Sequence, residues 1–249
     1  SLCMITKNEE NFLEQCLNSV KDIADEIIIV DTGSEDKTKV IAKKFNAKIF
    51  DFEWIDDFSA TRNESLKHAT KDWILMFDAD EVIEKKDLEK IKNAIENPED
   101  FVGFQLEQRS YLNNFFEGAV KNGSDFELAK DYPFYIPHHL VRLFKNKLGL
   151  HFKHRVHELV EDSIHEKNLK YKKLDVVLHH FGSLKSEKLI GEKTEQYSKI
   201  ILKQLEEEPN NPRYSYQAAR MYLGRNDFSN ALKYFEKTAK LNPNYKLVF

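Results

Sequence analysis

Glycine is nearly missing from the front of this chain: Gly33 is the only one among the first 80 residues. A G-x-G-x-x-G turn after a strand is therefore absent, which excludes an ordinary dinucleotide-binding fingerprint. Cysteine is as scarce. Cys3 and Cys16, the two in 249 residues, lie in apolar-patterned segments, so they read as small buried hydrophobes in a reducing compartment rather than as a bridge. A cytoplasmic location is expected. No apolar run approaches the roughly 20 residues of a membrane span, so no transmembrane segment is expected either. A basic excess is also lacking: the net charge is −4 with both signs interspersed. Local lysines around Lys170 to Lys173 do not make a field for a polyanion, so nucleic acid is not an expected partner. No signal peptide is visible, and Ser1 already lies in a strand-like run, so a short leader is expected to be missing from its front. What remains, 41% hydrophobic and 32% charged, describes a globular protein long enough for one large core with an appendage.

The organising stretch is Asp72-Trp73-Ile74-Leu75-Met76-Phe77-Asp78-Ala79-Asp80-Glu81, an apolar run that stops at two carboxylates. Such a run suits a strand covered on both faces, and ligands of parallel sheets bind at the strands' carboxyl ends. Carboxylates one residue apart in a turn can reach one point, as a hard divalent cation bridging phosphate oxygens requires. A short D-x-D also arises by chance or as a turn or cap, so its neighbours must carry the case. They repeat one design. Ser1 to Thr6 is an apolar strand followed by a helix through Phe12, Leu13, Cys16, Leu17 and Val20. Glu26 to Asp31 is a second strand, ending in an acid and the turn Thr32-Gly33-Ser34, with a helix over 36–45. A strand at Ala47 to Phe52 and a helix at Phe58 to Ala69 lead into the central run. Four alternations in about 80 residues predict a doubly wound α/β domain with a mostly parallel sheet. Asp31 reads equally as a nucleoside contact or as a turn acid feeding Gly33.

Beyond Glu81 the pattern predicts a helix at Asp87 to Ile95 and a strand through Val102, Phe104 and Leu106. Ser110 to Pro137, rich in Tyr and Phe among Gly, Asn and Pro, reads as a long ordered loop over a cleft or as an aromatic satellite core. Eight of the nine histidines fall between His138 and His180, which raises the prospect of a mixed Asp/His metal site, with most of them bystanders. Val156-His157-Glu158 lacks the second histidine of an H-E-x-x-H zinc helix. From Lys185 the chain turns helical. Pro209 and Pro243 lie 34 residues apart, the tetratricopeptide period, with Ala218, Ala219, Tyr222, Ala231 and Phe235 between them. One repeat is clear, with a degenerate one before it. The expected domains are 1–184 and a helical 185–249, the latter open to further repeats or to packing on its neighbour.

On these residues the first ~185 positions resemble family 2 glycosyltransferases of the GT-A fold, in the bacterial subgroup with tetratricopeptide repeats behind the catalytic domain. The matching stretches are Ser1 to Glu10, Val30 to Thr38, Arg62-Asn63, Asp78-Ala79-Asp80, Arg142-Leu143-Phe144, Val156-His157-Glu158 and His180-Phe181-Gly182. The resemblance implies a Rossmann-like nucleotide-sugar domain, an inverting transfer from a nucleotide-diphosphate donor with UDP favoured, and a Mn²⁺ or Mg²⁺ cofactor. It implies that Ile5, Asn8, Glu9, Asp31, Arg62, Asp78 and Ala79 line the donor, that Asp80 and His180 hold the cation, and that Glu158 is the base with His157 as the alternative. Acceptor candidates are a hydroxyl, thiol or amine on a peptide, protein or cell-surface glycan, with a homodimer or protein contact through the repeats. Asp31-Thr32-Gly33-Ser34-Glu35-Asp36 departs from the usual D-D-G-S-T-D turn, and Phe181-Gly182-Ser183 from the tyrosine-bearing version. Arg142 reads equally as a structural ion pair or a phosphate ligand. Asp56 and Asp57 read as helix caps, and Trp54 and Trp73 as packing residues. The rival reading is a catalytically silent repeat scaffold. A nucleotidyltransferase ranks lower, because Lys7-Asn8-Glu9-Glu10 stands where a glycine-rich phosphate loop would.

Overall fold

The structure, a computed structural model, describes residues 1–184 and 187–245. The chain forms two compact units, Ser1–His154 with Glu158–Lys185, and Arg155–His157 with Ser186–Phe249.

The first unit begins with four strands separated by three helices: β1 (Leu2–Thr6), α1 (Leu13–Val20), β2 (Ile27–Asp31), α2 (Thr38–Lys44), β3 (Lys48–Asp51), α3 (Phe58–His68) and β4 (Trp73–Met76). It continues through β5 (Glu81–Ile83), α4 (Lys85–Glu96), β6 (Gly103–Leu112), β7 (Val120–Lys121), β8 (Phe134–Lys145), α5 (Glu161–Glu166) and β9 (Tyr171–His180). Among the described residues one sheet runs β3-β2-β1-β4-β8-β6-β9-β5, with β7 paired to β8. Alternate side chains explain why the apolar runs are unbroken. Leu2, Met4, Ile27, Ile29 and Leu75 enter one core with Leu13, Leu17, Leu88 and Ile91, while Cys3, Ile28, Ile74 and Met76 enter another with Val141, Phe144 and Ile164. Both faces are covered, as buried parallel strands require. Cys3 and Cys16 are buried and free. Asp57 caps α3 by accepting from the Ala60 amide, so the helix that carries Arg62 starts at a fixed place.

Two expectations change. The sheet is parallel from β3 to β4 and again between β6 and β9, but β8 runs antiparallel to both β4 and β6 and β5 runs antiparallel to β9, which makes the sheet mixed. The segment expected to be a loop from Ser110 is strand at both ends, with the short β7 between them. Ser110 pairs with Ile136, Tyr111 with Tyr135 and Leu112 with Phe134, which leaves 113–133 as the connection. The physical reason is the aromatic content itself. Tyr111 is fully buried in a satellite core with Ala129 and Phe181, flanked by Phe126, Tyr132 and Tyr135, and aromatic side chains favour such cross-strand packing.

The second unit holds α6 (Glu187–Glu207), α7 (Pro212–Gly224) and α8 (Phe228–Leu241). Asn211 caps α7 with Pro212 at its first turn, and Asp227 caps α8. Pro209 and Pro243 each stand two residues beyond a helix end, where the chain cannot continue helical. Ala218, Ala219 and Ala231 are buried, and Tyr222 stacks on Tyr234 at 5.6 Å between α7 and α8. Small residues let the two helices approach, and the rings fill the gaps.

Candidate active site

β1, β2 and β4 run parallel, so their carboxyl ends point to the same edge of the sheet: Thr6 pairs with Asp31, and Met76 at the end of β4 pairs with Cys3. Past β4 the chain makes a tight turn, Asp78-Ala79-Asp80-Glu81, in which the Glu81 amide donates to the Asp78 carbonyl at 3.1 Å. The Glu81 side chain closes the same turn from the other side, its Oε2 accepting from the Asp78 amide at 2.8 Å. Strand pairing then sets the neighbours. Glu81 faces His180 across β5 and β9, and Ser110 faces His180 across β6 and β9. Asp80 Oδ1 therefore lies 3.4 Å from His180 Nε2, and Ser110 Oγ holds His180 Nδ1 at 2.9 Å. Beside this pair is Gly182, where an added Cβ would stand 2.6 Å from both Asp80 Oδ2 and His180 Nε2. That corner has room for no side chain.

Two buried arginines cross the site. Arg62, from α3, donates through Nη2 to Asp78 Oδ1 at 2.8 Å and through Nε to Glu158 Oε1 at 2.6 Å. Arg142, from β8, donates through Nη2 to Asp78 Oδ2 at 2.9 Å and to Glu81 Oε1 at 3.2 Å. Arg62 Nη1 and Arg142 Nε are buried with no hydrogen-bond partner among the described residues. Burial alone would raise the Asp78 carboxyl, but Arg142 and Arg62 outweigh it and hold Asp78 well below the usual carboxylate range. Burial pushes Glu81 up to about 7, with Arg142 opposing the rise and Asp78 adding to it. For His180, burial favours the neutral ring, yet Asp80 and the other nearby acids prevail and raise it. A cation taking Nε2 would have to displace that proton.

The donor set suits a hard divalent cation. Asp80 supplies oxygen and His180 supplies Nε2, with its other nitrogen fixed by Ser110, the arrangement that orients a ligating imidazole. Among the described residues no three His, Cys, Asp or Glu side chains form a closed cage. Two protein ligands with the remainder supplied by phosphate and water match how Mg²⁺-type sites are built.

The rim is formed by the loops after β1 and β2, which are stitched together. The Asn8 amide donates to Ser34 Oγ, Asn8 Oδ1 accepts from the Glu35 amide, and the Glu9 amide donates to Thr38 Oγ1. Asn8 has φ +56°, a conformation that asparagine tolerates better than most residues. Asp31 is fully buried, with Oδ1 accepting from the Gly33 and Ser34 amides and Oδ2 from Thr6 Oγ1. It is at least the turn acid that was one of its two readings. Burial opposes its charge, but those bonds win and hold the carboxyl low. Ile5 is half-buried beside Val30, and Ala79 is buried within the turn.

Arg62, Asp78, Asp80, Glu158 and His180 are thus assembled into one cluster, with Ile5, Asn8, Glu9 and Asp31 at the adjacent strand ends. His157 takes its contacts from the helical unit, its ring edge-on to Tyr197 at 5.8 Å and its carbonyl accepting from Arg213. Glu158 belongs to the α/β unit, where it meets Arg62. His179 is a bystander: its Nδ1 meets the Tyr111 hydroxyl at 2.7 Å, and burial pushes it down to about 4. Sequence reasoning passed over Glu81, Gln108, Ser110 and Gly182. The signal for Glu81 was present, since an acid directly before the apolar pair Val82-Ile83 and after Asp78-Ala79-Asp80 is placed to be buried, and a buried acid needs partners.

The mixed sheet with acids at the central strand end is the GT-A architecture. The chain belongs to glycosyl transferase family 2, whose description matches residues 1–168. A TPR repeat-containing protein of Synechococcus elongatus is 37% identical over 165 residues, 66% of this chain and 36% of that protein. The SPbeta prophage-derived glycosyltransferase SunS of Bacillus subtilis is 27% identical over 98% of this chain and 53% of its own length. The chain thus spans about a third to a half of these relatives. Among solved structures, S. aureus TarS 1-349 in complex with UDP-GlcNAc shares the fold at TM-score 0.53 and 17% identity, over 96% of this chain and 80% of that one. Glucosyl-3-phosphoglycerate synthase from Mycobacterium tuberculosis, solved with Mn²⁺, UDP and phosphoglyceric acid, does so at 0.52 and 14%, over 82% and 76%. No helix among the described residues is long and apolar enough to cross a membrane.

Proposed function

We propose that this chain is an inverting, cation-dependent glycosyltransferase that moves a sugar from a UDP-sugar to a hydroxyl, thiol or amine on a peptide, protein or cell-surface glycan. The observation that carries the reading is the Asp80–His180 pair, 3.4 Å apart beside Gly182, where only the absence of a Cβ leaves room next to both side chains, with Asp80 just past the carboxyl end of β4. The UDP donor takes its support from the UDP-bearing structures of similar fold. Two buried unbridged cysteines favour a reducing compartment such as the cytoplasm.

In an in-line displacement the acceptor's lone pair forms a bond to the anomeric carbon while the bond to the diphosphate oxygen breaks. Asp80 and His180 would hold Mn²⁺ or Mg²⁺, which supplies Lewis-acid charge against the leaving diphosphate. Arg62, whose Nη1 has no hydrogen-bond partner among the described residues, adds fixed positive charge that needs no reorganisation. Asp78, kept ionised by both arginines, orients them and accepts from the donor's ribose. Ile5, Asn8, Glu9, Asp31 and Ala79 form the base and ribose wall. Glu158 takes the acceptor proton on Oε2 while Arg62 holds Oε1, and the 11% exposure of its side chain leaves it a path to the acceptor. His157 is the alternative base. The helical unit serves protein contact or self-association, with Phe228 and Leu232 of α8 exposed one turn apart.

Calorimetric titration of UDP, GDP and dTDP, with and without Mn²⁺, on the parent and on Asp80→Ala tests the reading. Mn²⁺-dependent binding of UDP, lost in the variant, is the expected result. Absence of nucleotide binding would overturn it in favour of the scaffold.

A further inference from the structure

We propose that Glu81, backed by Gln108 and Arg142, is a positioning residue that fixes the turn carrying Asp80, and with it the cation site, without itself binding cation or donor. The inference rests on the cation-dependent donor site proposed above. Glu81 is fully buried, and both of its oxygens are engaged within the protein. Oε2 accepts from the Asp78 amide at 2.8 Å, while Oε1 accepts from Gln108 Nε2 at 2.6 Å and from Arg142 Nη2 at 3.2 Å. The carboxylate therefore ties the first residue of the turn to β6 and β8 at once.

Both expected ligands depend on this tie. Asp80 lies inside the turn that Glu81 closes through its amide and its side chain. His180 is the register partner of Glu81, and the Phe181 amide donates to the Asp80 carbonyl at 2.9 Å. A shift of the Glu81 side chain thus moves the oxygen donor and the nitrogen donor relative to each other. An octahedral cation tolerates little such error, and groups that orient ligands change metal affinity by about 10–100-fold when removed. Gln108 is the informative member. Its side-chain amide donates to Glu81, and it occupies a β6 position paired with Leu178 and His138, none of which is an expected ligand of cation or nucleotide.

Glu81→Gln preserves the volume but turns one acceptor oxygen into an NH2, so that either the Asp78 amide or the Gln108 and Arg142 pair loses its acceptor. Gln108→Ala removes one tie and leaves the carboxylate in place. Calorimetry with UDP alone, UDP with Mn²⁺, and Mn²⁺ alone reads the effect, with thermal unfolding in parallel. Both variants are expected to bind UDP without Mn²⁺ within about twofold of the parent. The enhancement by Mn²⁺ is expected to fall about tenfold or more in Glu81→Gln and about threefold in Gln108→Ala. A purely architectural role would lower the unfolding temperature and leave the Mn²⁺ enhancement intact, and that result overturns the proposal. If Glu81→Gln does not fold, Gln108→Ala alone decides by the same ratio. A parent protein that binds UDP with no Mn²⁺ enhancement would refute the donor-site reading, and the inference with it.

Discussion

At Gly182 the absence of a single methyl group decides what the site can hold. Its backbone conformation is one that any residue adopts, so alanine meets no φ penalty there, yet its Cβ would stand 2.6 Å from Asp80 Oδ2 and His180 Nε2. Contacts that short force one of the two side chains aside. Gly182→Ala is therefore expected to keep the thermal midpoint within a few degrees while the Mn²⁺ enhancement of UDP binding drops about tenfold or more, read by calorimetry. An unchanged enhancement would show that the corner is not where the cation sits. The family resemblance pointed to Asp78, Asp80, Arg62, Glu158 and His180 as a set, while residue types alone singled out the acid pair at the end of an apolar run and the histidine-rich stretch after it. Their mutual distances could not be read that way. Arg62 and Glu158 stand 96 positions apart and meet only through the fold.

Among the elements, the start of β2 carries a charge anchor for the parallel half of the sheet. Burial opposes the charge of Glu26. Even so, bonds from Ser1 Oγ, the Thr70 amide and hydroxyl, and Lys48 overcome it and hold the carboxyl far below its ordinary 4.5. The unfolded chain takes up the proton first, so this stabilisation is complete above about pH 4.5 and is lost as pH falls below it. Glu26→Gln is expected to cost about 1.5–3 kcal/mol at pH 7 and to flatten the acid limb of the stability curve, measured by urea unfolding from pH 7 to pH 3. An acid limb as steep as the parent's would count against the anchor. Strands β1, β2 and β4 were legible because both faces of each are buried, which leaves an uninterrupted apolar run. The β6–β8 pairing was harder to see. Its Ser110 to Leu112 half mixes polar and aromatic residues, and its register is set by packing of Tyr111 against Tyr132, Tyr135 and Phe181.

For the molecule as a whole, the two units answer different questions. The α/β unit contains the acids and arginines, and the helical unit offers surface: Phe228 and Leu232 are 65% and 60% exposed on α8. Isolated exposed apolar residues are ordinary, but a pair one turn apart on a repeat-type helix suits contact with another protein. If self-association runs through this face, Leu232→Glu weakens it about tenfold or more, seen as a shift toward monomer in sedimentation velocity with UDP binding unchanged. A parent that is monomeric at high concentration would remove self-association and leave a different protein as the contact.

The sequence by itself determined the alternation of strand and helix, the acids at the strand ends, the caps and the 34-residue helical spacing, because each is a local or periodic property of the chain. Only the tertiary structure decided that Asp78 lies between two arginines, that Glu81 is a buried tie and that Gly182 leaves a corner beside Asp80 and His180. Those relations join residues up to about a hundred positions apart on neighbouring strands, and strand register is fixed by packing of the whole sheet rather than by any one segment.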